Sequence, residues 1–237
     1  MARSLYLGSR RSEDTDCRAQ SLHGCPDGPW RGFTPALACV NLDSHIDDVA
    51  DILKRENLHG ATLVGHSYAG MVITGVAERE SGRLSRLIYV DAFVPDDGES
   101  ALDLLPETVQ KSFREKASAS GEGWRLLASE SLLDAWGLQP GVAREYVYTR
   151  LCDFSLRCFE QKVRLPSNAT AMIQKTFIAA VAQNYPARFV FKRFGERARR
   201  ECWDYHELVT GHDCHVEAPE QFVSLLLAGD AQPAAEA

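Results

Sequence analysis

Short continuous apolar runs recur along the chain at Ala61-Thr62-Leu63-Val64, Leu87-Ile88-Tyr89-Val90 and Lys175-Thr176-Phe177-Ile178-Ala179-Ala180-Val181. Their length and composition suit strands buried on both faces of a sheet. Segments of helical period lie between them. Ile46, Val49, Ala50, Ile52 and Leu53 share one helix face, with Asp43 or Ser44 placed to cap it and Asn57 to Gly60 to end it. Met71, Val72, Ile73, Val76 and Ala77, followed by Glu78-Arg79-Glu80, predict a buried helix that ends in charge. Phe33 to Leu37 predicts a short strand, 187–200 a helix and Trp203 to Val209 a further strand. Pro219 opens a last helix carrying Phe222, Val223, Leu225, Leu226 and Leu227, which Gly229 stops.

Two regions break this rhythm. Residues 96–170 carry Pro106, Trp124, Trp136 and Pro140 among helical patterns without strand alternation, and predict a helical cap inserted in a single domain spanning 1–237. Residues 1–30 are polar and broken by glycine and proline, with strand character only at Leu5-Tyr6-Leu7. The order of the remaining elements predicts an α/β fold: a mostly parallel sheet flanked by helices and joined by right-handed crossovers. Functional sites in such sheets gather at the carboxyl ends of the strands. Ser67, Asp91 and His212 each follow the end of a predicted strand.

The first of these ends carries a motif. Gly65-His66-Ser67-Tyr68-Ala69-Gly70 is G-x-S-x-G set between a strand and a helix. A sharp strand-to-helix turn there lifts the serine hydroxyl above the sheet, and the small residues Gly65 and Gly70 keep the adjoining backbone from colliding. The amides at the helix start face any negative charge that forms beside the serine.

Composition narrows the classes. A formal charge of −7 argues against a nucleic-acid footprint. The basic stretch Lys192 to Arg200 reads as the solvated face of a helix. The N-terminus lacks the apolar core of a secretory signal, and no apolar run is long enough to span a membrane. Seven cysteines without a CxxC pair then fit reduced thiols in a cytoplasmic protein. Neither nucleic acid nor membrane is expected as a partner, and the oligomeric state is left open. His212-Asp213-Cys214-His215 contains metal-binding residue types, but no third or fourth ligand at a familiar spacing accompanies it, so neither metal nor cofactor is expected.

The segments 43–49, 64–72, 89–95 and 211–213 together resemble the α/β-hydrolase fold, and more narrowly the small bacterial esterases akin to plant methylesterases and hydroxynitrile lyases. The resemblance spans roughly residues 32–228. It implies a cofactor-free serine esterase acting on a small-molecule ester through an acyl-enzyme intermediate. Ser67 would be the nucleophile, and His212, the late histidine of the Ser–acid–His order, would be the base. His66 should point away from the serine hydroxyl. In many relatives the acid follows the strand before the last one, where this chain has Gln183 and Asn184. Asp91 is then the favoured acid, with Asp153, Glu196 and Asp213 as alternatives. The Tyr68 amide would be one oxyanion donor. His23-Gly24-Cys25-Pro26-Asp27-Gly28-Pro29-Trp30 resembles the family's second oxyanion loop, which makes the Cys25 amide the other donor. Arg18 to Ser21 is too polar for a buried central strand, however, and too few residues follow Trp30 for a crossover. Either the first crossover is missing or the match is a remnant. Two alternatives to an esterase follow: a catalytically silent ligand-binding hydrolase fold, or a lyase on the same fold. The lyase branch places a lysine after its histidine, whereas Asp213 stands here. Phe93, Leu102, Leu104, Leu105, Trp124, Trp136 and Phe154 supply apolar surface, either for an apolar substrate group or for packing the cap on the core.

Overall fold

The computed structural model describes residues 4–8, 20–23 and 39–228. The strands are β1 (Ser4–Gly8), β2 (Gln20–His23), β3 (Ala61–His66), β4 (Leu84–Val90), β5 (Arg125–Leu126), β6 (Phe154–Ser155), β7 (Gln174–Ala180) and β8 (Asp204–Leu208). The helices are α1 (Leu42–Arg55), α2 (Ala69–Glu80), α3 (Glu107–Ser120), α4 (Glu130–Ala135), α5 (Val142–Tyr148), α6 (Leu156–Glu160), α7 (Arg188–Arg200), α8 (Cys214–Glu217) and α9 (Pro219–Ala228). Six strands form the main sheet in the order β2-β1-β3-β4-β7-β8. From β3 to β8 the pairing is parallel, while β1 runs antiparallel to both β2 and β3. Gln20–His23 therefore lies at a sheet edge, where polar residues are tolerated. The predicted strand at Phe33 and the loop carrying Cys25 lie outside the described residues.

The central strands are buried on both faces, as their apolar runs require. β4 begins at Leu84, earlier than its apolar run suggests. The polar residue that hides this start is Arg86. Its buried guanidinium donates to Thr176 Oγ1 at 2.7 and 2.9 Å and pairs with Asp204 at 3.1 Å, tying β4 to β7 and β8. The cap of α1 also differs from expectation. Asn41 Oδ1 accepts from the Ser44 amide at 3.0 Å, and Ser44 Oγ accepts from the Asn41 amide at 3.3 Å. This reciprocal cap starts the helix at Leu42 and leaves Asp43 to pair with Arg79 of α2.

Residues 96–170 hold α3 to α6, plus the short antiparallel β5–β6 pair that the periodicity did not signal. Leu102, Leu104, Leu105, Phe154 and Phe159 join the main core, while Leu133, Trp136, Leu138, Val147 and Leu151 form a smaller one. Phe93, Leu102, Leu104, Leu105 and Phe154 are buried in the main core and Trp136 in the smaller one, while Trp124 is half-buried. Among the described residues no helix is long and apolar enough to cross a membrane.

The turn after β3 leaves no room for side chains at its two glycines. A Cβ on Gly70 would stand 2.0 Å from the Phe93 carbonyl oxygen, and one on Gly65 would stand 2.7 Å from that of Ala69. Both contacts are with backbone, which cannot yield cheaply. Gly70→Ala is expected to lower unfolding free energy by about 1–3 kcal/mol, the cost of overpacking a filled site, as read from urea denaturation.

Candidate active site

Ser67 follows β3 with φ of 56°, and Asp91 follows β4 with φ of 41°. Both are left-handed conformations that L residues avoid. Neighbouring backbone holds each of them. The Ser67 amide donates to the Val90 carbonyl at 3.1 Å, and the Ser67 carbonyl accepts from the Gly70 and Phe93 amides, each at 3.1 Å. The Asp91 amide donates to the Ile178 carbonyl at 2.7 Å. α2 begins immediately after the serine, with Tyr68 as its N-cap.

His212 lies between β8 and α8 and is only 2% exposed. Its Nδ1 is 2.7 Å from Asp91 Oδ2. A carboxylate only accepts, so Nδ1 carries the proton and Nε2 keeps its lone pair. The ring is enclosed by aromatics: Phe191 stacks on it at 4.8 Å, and Tyr185 and Trp136 each lie 5.7 Å away. The His212 amide donates to the Trp136 carbonyl at 2.9 Å, which ties the loop to the end of α4 in the cap. His66 turns away from the serine hydroxyl, and its Nε2 meets the His212 carbonyl oxygen at 2.9 Å. The Ser67 hydroxyl makes no side-chain hydrogen bond to any described residue, His212 included. Hydrogen bonds of this kind are often long before substrate binds.

Of the acids considered, the fold brings Asp91 to the far nitrogen of His212. Asp153 accepts from the Ala128 amide and pairs with Arg125, and Glu196 pairs with Lys192 on α7. Asp213 is buried beside His212, and among the described residues neither of its oxygens has a hydrogen-bond partner. Tyr185, in the segment that follows β7, joins the pair. Its hydroxyl donates to Asp91 Oδ2 at 2.7 Å and lies 2.9 Å from His212 Nδ1. The residue types gave no sign of this tyrosine; its position after β7 was the only available signal.

A family model described as the alpha/beta hydrolase family matches residues 4–225. The chain belongs to that family. It is 33% identical over 200 residues to the carbendazim hydrolyzing esterase of Nocardioides sp. (strain SG-4G), covering 80% of this chain and 79% of the relative. Solved structures of the same fold include an extracellular alpha/beta-hydrolase from a Paenibacillus species (TM-score 0.66, 20% identity, 86% and 85% of the two chains). A pyrethroid hydrolase from Sphingobium faniae JZ-2 matches similarly (TM-score 0.66, 21% identity, 89% and 85%). The curated relative is an esterase, in agreement with the expected class of enzyme.

The hydrolase surrounds its histidine with perturbed groups. Burial, and then the Asp91 charge, push the Tyr185 phenol well above its ordinary value, so it stays a neutral donor. Burial lifts the Asp213 carboxyl to about 6. Burial, with His212 and His215 nearby, holds the His66 imidazole well below its ordinary value. Tyr185→Phe removes a buried hydrogen bond to a carboxylate while keeping the ring. It is expected to cost about 1.5–3 kcal/mol of stability, measured as a lowered denaturant midpoint with unchanged slope.

Proposed function

We propose that this alpha/beta hydrolase is a serine esterase in which Ser67 is the nucleophile, His212 the general base and Asp91 the acid that orients and charge-balances the histidine. The single observation that carries the reading is the 2.7 Å contact between Asp91 Oδ2 and His212 Nδ1, at the ends of the strands that also hold the strained Ser67 turn.

The mechanism follows from proton positions. Ser67 Oγ attacks the ester carbonyl carbon while its proton passes to His212 Nε2. The carbonyl oxygen becomes an oxyanion held by the Tyr68 amide at the start of α2. The Cys25 amide, outside the described residues, is proposed as the second donor. As the intermediate collapses, the ester C–O bond breaks and His212 returns the proton to the departing alkoxide. Water, deprotonated by His212, then attacks the acyl-enzyme; the acyl–Oγ bond breaks, His212 returns the proton to Ser67 Oγ, and the carboxylic acid is released. Throughout, Asp91 stays ionised and stabilises the imidazolium. No metal or cofactor takes part in these steps. A small ester with an apolar acyl or alcohol group is the proposed substrate class. The names of the relatives add carbendazim and pyrethroid esters as compounds to assay.

A second reading, ligand binding without turnover, rests on the Ser67 hydroxyl being unengaged by His212. A fluorophosphonate probe separates the two. Covalent labelling is expected on wild-type protein and is lost in Ser67→Ala, together with hydrolysis of short p-nitrophenyl esters. Well-folded wild-type protein that neither labels nor turns over selects the binding reading. Asp91→Asn is expected to lower kcat on the order of 10⁴-fold by fixing the wrong imidazole tautomer. Near-normal turnover in that variant would move the acid role elsewhere.

A further inference from the structure

Asp213 and His215 stand two residues apart in the chain, and the fold brings a further ligand type to them. His66, at the end of β3, comes to lie against Asp213 and His215, and one candidate ligand atom from each residue lies within 4.8 Å of the other two. The His66 and His215 rings are 4.9 Å apart and inclined at 62°. His66 and Asp213 are buried, at 5% and 1% exposure.

The protonation of His66 follows from its other contact. Nε2 faces the His212 carbonyl oxygen, which can only accept, so Nε2 carries the proton and Nδ1 carries the lone pair. Among the described residues that Nδ1 has no hydrogen-bond partner, and neither does either oxygen of Asp213. A buried lone pair and a buried carboxylate thus lie close together with no donor to either among those residues. Leaving such groups unmatched is costly, and a cation removes the cost. A histidine whose second nitrogen is anchored on a backbone carbonyl is also how metal-ligating imidazoles are usually held.

We propose that His66 Nδ1, the Asp213 carboxylate and a ring nitrogen of His215 bind one divalent transition-metal ion of the zinc class. Two imidazoles and one carboxylate suit such ions better than magnesium or calcium, which prefer oxygen alone. Bonds of about 2.0–2.2 Å draw the three side chains inward and leave a fourth position for water. The ion would pin the end of the nucleophile strand to the loop that carries His212. The ester chemistry does not pass through it.

The test uses full-length Ser67→Ala protein, so that its outcome is independent of acylation. The protein is stripped with chelator, desalted and titrated with Zn²⁺ by calorimetry, with metal content read by mass spectrometry. One equivalent per chain and a raised thermal midpoint are expected. Asp213→Asn and His215→Gln are each expected to weaken binding at least tenfold. No uptake, as when His66 and Asp213 simply share a proton, overturns the proposal. Uptake that neither variant weakens overturns it equally, because the metal is then held elsewhere.

Discussion

The whole site depends on two non-glycine residues held in the left-handed conformation at the ends of adjacent parallel strands. Ser67 and Asp91 each adopt a backbone that costs about 1–2 kcal/mol for an L residue. Such strain persists only where its surroundings over-determine it. The Ser67 carbonyl accepts two amides, its own amide is taken by Val90, and Asp91 is locked to Ile178 across the sheet. These bonds are possible because β3, β4 and β7 lie side by side in register. The glycines flanking the serine let α2 start at once, so neither end of the turn can relax.

Burial gives the same side-chain type opposite characters a few ångströms apart. Asp91 sits in a dry site yet collects donors: the His212 imidazole, the Tyr185 hydroxyl and, more weakly at 3.4 Å, the Ala180 amide. Asp213 is equally buried and collects none among the described residues, and burial raises its carboxyl to about 6. The two buried aspartates thus differ in the donors the fold brings to them. Tyr185 is central to that difference because its elevated pKa keeps its proton in place for Asp91.

Residues 96–170 take part in this arrangement. The Trp136 carbonyl at the end of α4 holds the His212 amide, and Ala135 accepts from Ala187 beside Tyr185. On the other side, Tyr68 packs edge-on against Phe154 of the cap and hydrogen-bonds His45 of α1 at 3.1 Å. The residues that position both ends of the site are thus shared with the apolar contact between cap and body.

Much of the molecule was legible along the chain because its causes are local. Continuous apolar runs dictate strands buried on both faces, helical period dictates α1, α2 and α7, and the steric demands of G-x-S-x-G dictate a serine on a strained turn. The start of β4 was hidden because Arg86 hides its charge by pairing across strands, which no local pattern reveals. The cap of α1 was misplaced because three neighbouring polar residues compete and only geometry selects Asn41. The acid could be narrowed but not chosen from the chain alone. Which carboxylate meets His212 depends on strand order and on how far each strand end projects. The sequence by itself determined the fold class and the strained turn that carries Ser67. Tertiary structure alone decided that Asp91 and Tyr185 gather at His212, and that His66 gathers with Asp213 and His215, because those meetings join residues far apart in the chain through hydrogen bonds and burial that exist only once the sheet has formed.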